Sequence, residues 1–244
     1  MHPDLPTDEV QELREKLVRY NRETKRFLEV LVHDVRAHQR GINTSSEVLA
    51  NELGDQLGEA PTQILKQLQE EVARMNVLLA AVSSYSDTMP GARYSMRTIP
   101  LEVPIQSACS ELGTIIRETG ATVVLGPMPH VYGDPTRLAA VFRHLISNAI
   151  SYRSAAEPRI RIQTVPSPDH CVVSVQDNGI GIAPEYWDRL FSPFFRLHGA
   201  EIPGTGLGLA ACRNIVEAHA GTIWLASKVC EGTTFFFTLP TGGN

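Results

Sequence analysis

A proline-free amphipathic stretch from about Asp8 to Leu53 constrains the fold more than any other part of this sequence. Its apolar residues recur at spacings of three and four, the pattern of a coiled-coil seam. They are Leu13, Leu17, Tyr20, Phe27, Leu31 and Val35. Helix breakers follow in GDQLGEAP, Gly54 to Pro61, and a second apolar stripe comes after them: Ile64, Leu68, Val72, Met75, Leu79 and Val82. The sequence therefore predicts an antiparallel helical hairpin.

Two helices alone bury too little apolar surface to be stable. Self-association of two hairpins into a four-helix bundle is the simplest completion. We therefore expect a homodimer.

The composition changes at SDTMPGARYSMRTIP, Ser86 to Pro100, which is rich in turn formers and has no helical period. We predict a hairpin domain over residues 1–87, a linker over 88–98 and a second domain over 99–244. In the second domain we expect helices at 103–118 and 135–152, the latter capped by Asp134. We also expect a short strand at 121–125. Further strands are predicted at RIRIQTV, CVVSVQD, GTIWLAS and GTTFFFTLP, so this domain is α+β with largely antiparallel strands.

Charge and composition exclude some classes of partner. The formal net charge of −5 and the lack of a long Lys/Arg run argue against nucleic acid. No signal peptide and no run of eighteen apolar residues is present, so a membrane or upstream sensor segment would lie outside these 244 residues. The scattered cysteines, Cys109, Cys171, Cys212 and Cys230, indicate core thiols of a reducing compartment, and we expect a cytoplasmic location.

Three motifs of the second domain could carry chemistry. Asn148 lies on a predicted helix, where an asparagine is commonly a solvated residue. DNGIGI, Asp177 to Ile182, follows a strand and is either a tight turn or a carboxylate beside a close backbone approach. GTGLGL, Gly204 to Leu209, opens a helix, so its N–H groups suit an anion such as phosphate. The glycines fit neither the Walker nor the Rossmann pattern.

The segment Ile182 to Pro203 is longer than most structureless loops. Its aromatic stretch FSPFFRL is typical of a short packed helix or of a clasp over a ligand. We interpret the segment as a lid.

In order along the chain, Asn148, DNGIGI, FSPFF and GTGLGL resemble the N, G1, F and G2 boxes of the histidine kinase ATP-binding domain. The resemblance implies an α/β sandwich of the histidine kinase and Hsp90 type, with ATP and Mg²⁺ as cofactors. It implies that Asn148 binds Mg²⁺ and that Asp177 accepts from the adenine amino group. The other nucleotide-binding positions that it implies are Gly179, Gly181, Gly204, Thr205, Gly206, Leu207 and Gly208.

The hairpin resembles the dimerisation and phosphotransfer domain of these kinases, with His33 of HDVRA as the phosphoacceptor. His33 lies about 200° around the helix from Leu31, so its ring should face solvent. Asp34 is the candidate to hold one ring N–H, which would fix the tautomer and make the other nitrogen the nucleophile.

Three positions depart from the family pattern. His144 and Ser151 replace the usual first Asn and the frequent Lys of the N box, and His38 replaces a proline. Arg153 is the candidate to supply the missing positive charge.

The resemblance implies transfer of the ATP γ-phosphoryl to His33 and then to an aspartate of a response-regulator receiver domain. Two alternatives stay open. One is an ATP-driven dimeric clamp that forms no phosphoprotein, and the other is a catalytically weak module that docks a receiver.

Overall fold

The structure is a computed structural model that describes residues 7–53, 58–197, 202 and 204–241. It divides into two compact units between Gly91 and Ala92. The first unit is a pair of contacting helices, α1 (Thr7–Leu53) and α2 (Glu59–Ser86). Pro61, which we expected before the second helix, lies in the first turn of α2, where a missing N–H breaks no helical hydrogen bond.

The helix pair packs through a different stripe of α1 from the predicted one. Val32, Gln39 and Ser46, spaced by seven residues, are buried, and the Gln39 amide donates to the Val72 carbonyl of α2. The predicted seam is wrong in phase for packing within one chain, because Phe27 and Leu31 are 64% and 45% exposed. Tyr20 of the same stripe is also exposed, while the side chains of Leu13 and Leu17 lie outside the described residues.

The apolar stripe predicted for α2 is also only partly buried. Val72 and Leu79 of α2 are buried, whereas Ile64, Leu68 and Met75 are exposed. Each helix therefore buries one apolar edge against the other and leaves a second edge uncovered. Among the described helices, none is long and apolar enough to cross a membrane.

The second unit is a two-layer α/β sandwich, and the α+β fold class is confirmed. Its helices are α3 (Glu102–Glu111), α4 (Gly113–Thr119), α5 (Pro135–Ser151) and α6 (Gly208–Ala218). Its strands are β1 (Arg97–Pro100), β2 (Thr122–Leu125), β3 (His130–Gly133), β4 (Arg159–Pro166), β5 (His170–Gln176), β6 (Ile223–Lys228) and β7 (Gly232–Pro240). Five strands form one sheet in the order β2-β4-β5-β7-β6, antiparallel except for the parallel pair β2 and β4.

The core lies between this sheet and the helices. Strands β4, β5 and β7 alternate buried and more exposed residues, so one face of the sheet is apolar. Helix α5 packs against β4, and α6 packs against β6 and β7. As predicted, Asp134 caps α5, and its carboxylate accepts from the N–H groups of Thr136 and Arg137.

Some local predictions were wrong. The helix predicted over 103–118 is broken at Leu112, whose backbone leaves the helical region with φ −90° and ψ 6°. The antiparallel pair β1 and β3 was not predicted. Cys171 and Cys212 are buried as expected and Cys109 is partly buried, but Cys230 is exposed.

The predicted linker, 88–98, spans the division between the units, and its second half packs on the second unit. The Ser95 N–H donates to the Asp134 carboxylate, and the Tyr94 ring lies edge-on to His219 at 5.6 Å. His219 is buried at the end of α6, where its Nδ1 donates to the Ile215 carbonyl and its Nε2 accepts from the Asp134 N–H. The next residue, Ala220, has a left-handed φ of 56°.

Candidate functional site

A cavity of about 240 Å³ opens in the second unit between α5, the turn after β5 and the start of α6. Seven of the predicted nucleotide-binding positions share its lining: Asn148, Asp177, Gly181, Gly204, Thr205, Gly206 and Gly208. Two of the departures from the family pattern, His144 and Ser151, line it as well. Motifs up to 60 positions apart in the chain are therefore brought to one site.

Asp177 presents a carboxylate oxygen to this cavity. Its Oδ1 accepts from the N–H groups of Gly179 at 2.8 Å and Thr233 at 3.0 Å. No hydrogen bond to Oδ2 is found among the described residues, so this oxygen is available to a ligand. Burial raises the pKa of Asp177, and the two backbone donors oppose that rise.

Helix α5 supplies a polar face at the cavity. His144, Ser147, Asn148 and Ser151 line it, and as positions i, i+3, i+4 and i+7 they lie on one side of the helix. Burial and the charge of Arg143 lower the pKa of His144 to about 4. The His144 ring is therefore neutral near pH 7.

Two glycines are required by the backbone around the cavity. Gly206 has φ +73°, and a Cβ there would lie 2.7 Å from the main-chain carbon of Phe194. Gly181 has φ +71°, and its Cβ would lie 2.1 Å from the Lys228 carbonyl oxygen. Both positions therefore exclude other residues on steric grounds, whereas Gly204 has open space around it.

Three predicted residues lie outside the lining. Arg153 is exposed, and its guanidinium donates to the Ile150 carbonyl at 3.3 Å. Gly179 is buried against the Tyr152 carbonyl, which a Cβ would approach to 2.5 Å, and Leu207 is 2% exposed. Gly179 acts on the site only through its N–H, which donates to Asp177 Oδ1.

The described part of the predicted lid is partly ordered as helix. A 3₁₀ helix spans Pro184–Arg189, and the turn that follows bonds to the glycine loop through the Phe194 N–H and the Gly206 carbonyl. Phe195, Arg196 and Leu197 line the cavity. Residues 198–201 and 203 of the predicted lid lie outside the described residues, so closure stays a prediction.

Sequence reasoning missed residues that the sheet register brings in. Thr233, at the start of β7, lies beside Asp177 because β5 and β7 pair with Gln176 opposite Thr234. The Tyr152 carbonyl accepts from the Ile180 N–H at 3.0 Å. In the sequence, only the turn-forming residues at the start of GTTFFF could have drawn attention to Thr233.

His33 lies on α1, in the first unit. Its side chain is 78% exposed, and its Nδ1 lies 3.1 Å from the Asp34 carboxylate. Exposure was predicted, but it follows from the burial of the neighbouring Val32 rather than from a buried Leu31. Because a carboxylate only accepts, Nδ1–H donates, and in the neutral form of the ring Nε2 keeps a free lone pair.

The donors at the cavity fit Mg²⁺ bound together with a nucleotide. Among the residues that the structure describes, no group of three His, Cys, Asp or Glu side chains could hold a metal alone. Mg²⁺ in nucleotide sites takes few protein ligands and fills its shell with phosphate and water oxygens. The Asn148 amide oxygen and the neighbouring hydroxyls meet that requirement.

Comparison with known proteins agrees with this geometry. Residues 133–243 match the family described as histidine kinase-, DNA gyrase B-, and HSP90-like ATPase. Cyanobacterial phytochrome A of Nostoc sp. (strain PCC 7120 / SAG 25.82 / UTEX 2576) is 38% identical over 237 residues. Over nearly its whole length, the chain is similar to the catalytic core of sensor histidine kinases. This core is 97% of the chain but spans only 31% of phytochrome A.

Solved histidine kinases share the fold of this core. Full-length ShkA in complex with AMPPNP gives a TM-score of 0.69 at 21% identity, covering 90% of this chain and 47% of ShkA. ThkA in complex with the response regulator TrrA gives a TM-score of 0.62 at 23% identity, covering 98% of this chain and 68% of ThkA.

Proposed function

We propose that this histidine kinase core binds ATP with Mg²⁺ and transfers the γ-phosphoryl group to Nε2 of His33. The observation that carries the proposal is the exposed His33 ring with its Nδ1 against Asp34, in a chain that also forms the nucleotide-type cavity. Asp34 fixes the tautomer and stabilises the positive charge that develops on the ring as Nε2 attacks.

The nucleotide pocket would be used as follows. Asp177 Oδ2 accepts from the adenine amino group, and the N–H groups around Gly206 and Gly208 face the phosphates at the start of α6. Asn148 would hold Mg²⁺, which supplies neutralisation of charge on the transferring phosphoryl group. The protein itself contributes position, which is the main requirement of phosphoryl transfer.

We further propose that phosphohistidine passes its phosphoryl group to an aspartate of a response-regulator receiver domain. This acceptor is the one implied by the family. ThkA, which shares the fold, was solved with such a regulator.

The uncovered apolar edges of α1 and α2 favour a homodimeric four-helix bundle. The four free cysteines favour a reducing, cytoplasmic location.

The decisive experiment is labelling with γ-³²P ATP. Acid-labile and base-stable label on the parent, absent from His33→Ala, is expected. His38→Ala is the matched control, since His38 is also exposed and lies five residues along the same helix. Label that persists in His33→Ala would overturn the assignment.

The same labelling separates the alternatives. ATP-dependent compaction of a dimer without any phosphoprotein would favour the conformational clamp. Regulator binding with neither label nor ATP affinity would favour the docking module.

A further inference from the structure

The cavity contains an imidazole that the proposed function does not use. His144 lines the cavity one helical turn before Asn148, on the same side of α5. Its ring packs against the start of α6, with Nδ1 3.1 Å from the place where a Cβ on Gly208 would lie. Within the described ranges, neither ring nitrogen has a hydrogen-bond partner.

An unpartnered ring nitrogen at this position is a candidate metal ligand. Two side chains at positions i and i+4 of a helix can bind one metal ion, as the paired histidines of zinc-binding helices do. The ring is neutral near pH 7, so a lone pair is available for coordination.

We infer that His144 and Asn148 together hold the nucleotide-bound metal, and that this site prefers Mn²⁺ or a similar transition ion over Mg²⁺. The inference deepens the proposed ATP-binding function and rests on it. Mg²⁺ prefers oxygen ligands, whereas imidazole nitrogen favours first-row transition ions.

The first test is the affinity of the whole chain for AMPPNP, measured by calorimetry with Mn²⁺ and with Mg²⁺. We expect binding with Mn²⁺ to be tighter by about tenfold or more, a size typical of changes around metal ligands. His144→Asn, which replaces nitrogen by oxygen, should bring the two affinities close together. His170→Asn is the matched control, because His170 is exposed and lies outside the cavity lining.

The second test observes the metal directly. Pulsed electron paramagnetic resonance of the Mn²⁺–nucleotide complex should show a ¹⁴N coupling that is lost in His144→Phe, which keeps a ring of similar size against Gly208. Any coupling from adenine nitrogen is common to both proteins, so the loss is the readout.

Equal affinities with both ions in the parent, or a nitrogen coupling unchanged in His144→Phe, would overturn this inference alone. Absence of nucleotide binding with every divalent ion would overturn the proposed function as well.

Discussion

At the scale of single residues, the two oxygens of Asp177 have separate tasks. Oδ1 is held by two backbone N–H groups, and Oδ2 is left for a ligand. Asp177→Asn preserves an oxygen for the backbone but turns the free acceptor into an amide donor. We expect ATP-analogue affinity measured by calorimetry to fall by a factor of about 5 to 150, because an unpaired buried donor costs about 1–3 kcal/mol.

Asp169→Asn is the control for this change, since Asp169 is exposed and outside the cavity lining. Parental affinity in Asp177→Asn would refute the adenine assignment.

The glycine loop offers a second comparison between single residues. Gly206→Ala places a Cβ on a left-handed backbone and against Phe194, whereas Gly204→Ala meets open space. Gly206→Ala should lower the free energy of unfolding by more than about 1 kcal/mol and weaken nucleotide binding. Gly204→Ala should stay within about 0.5 kcal/mol of the parent. Urea unfolding and calorimetry of both variants test this, and equal behaviour would contradict it.

Site residues that belong to local motifs could be predicted from the sequence, and those that depend on packing could not. Asn148, Asp177 and Gly206 were predicted to bind nucleotide and line the cavity. Thr233 could not be predicted, because it reaches Asp177 through the register of β5 and β7. His144 was noted as a departure, but its burial and its packing against Gly208 depend on the approach of α6 to α5.

At the scale of elements, the end of α6 is coupled to pH through His219. The fold holds this ring neutral, with Nε2 accepting from the Asp134 N–H and burial lowering its pKa. The groups that face it are the Asp134 carboxylate and the Tyr94 ring, with Arg137 over that ring. Because the unfolded chain binds this proton more readily, stability should fall as the pH drops below about 6.5 towards the lowered folded pKa.

Urea unfolding at pH 7.5 and pH 5.5 measures this loss. His219→Gln should be less stable at pH 7.5 but should show a smaller loss between the two pH values. His130 is exposed, and His130→Gln should keep the parental dependence of stability on pH. A parental pH dependence in His219→Gln would exclude this histidine as the cause.

Elements with a strong period or a clear cap were predictable, and short ones were not. Helix α5 was predicted because its apolar face and the Asp134 cap agree. Strands β1 and β3 have four residues each and pair with each other across 30 to 36 positions of sequence, so no local pattern marks them. The buried stripe of α1 was predicted wrongly because apolar residues lie on two edges of this helix. Which edge is buried depends on the packing against α2, which the sequence of α1 alone does not show.

At the scale of the whole molecule, the uncovered apolar stripe of α1 predicts that two chains associate as a dimer. Phe27→Glu with Leu31→Glu should give a monomer whose helices persist, because both side chains are exposed within one chain. Light scattering after size exclusion and circular dichroism measure the two properties. Val124→Glu, an exposed apolar position on β2, is the control and should stay dimeric. A parent that is monomeric at all concentrations would refute the proposed dimer.

Ala220 has a left-handed φ, which is unfavourable for alanine, so a substitution at this position can raise the thermal stability of the chain. A residue with a Cβ in this conformation costs about 1–2 kcal/mol, and glycine relieves that cost at some loss of unfolded-state entropy. Ala220→Gly should therefore raise the melting temperature of the chain by about 2 °C in calorimetric scans. Ala218→Gly, inside the last turn of α6, should lower it, because there the backbone is ordinary helix. The end of this helix is thus a place where the protein can become more heat-resistant without any change to its cavity.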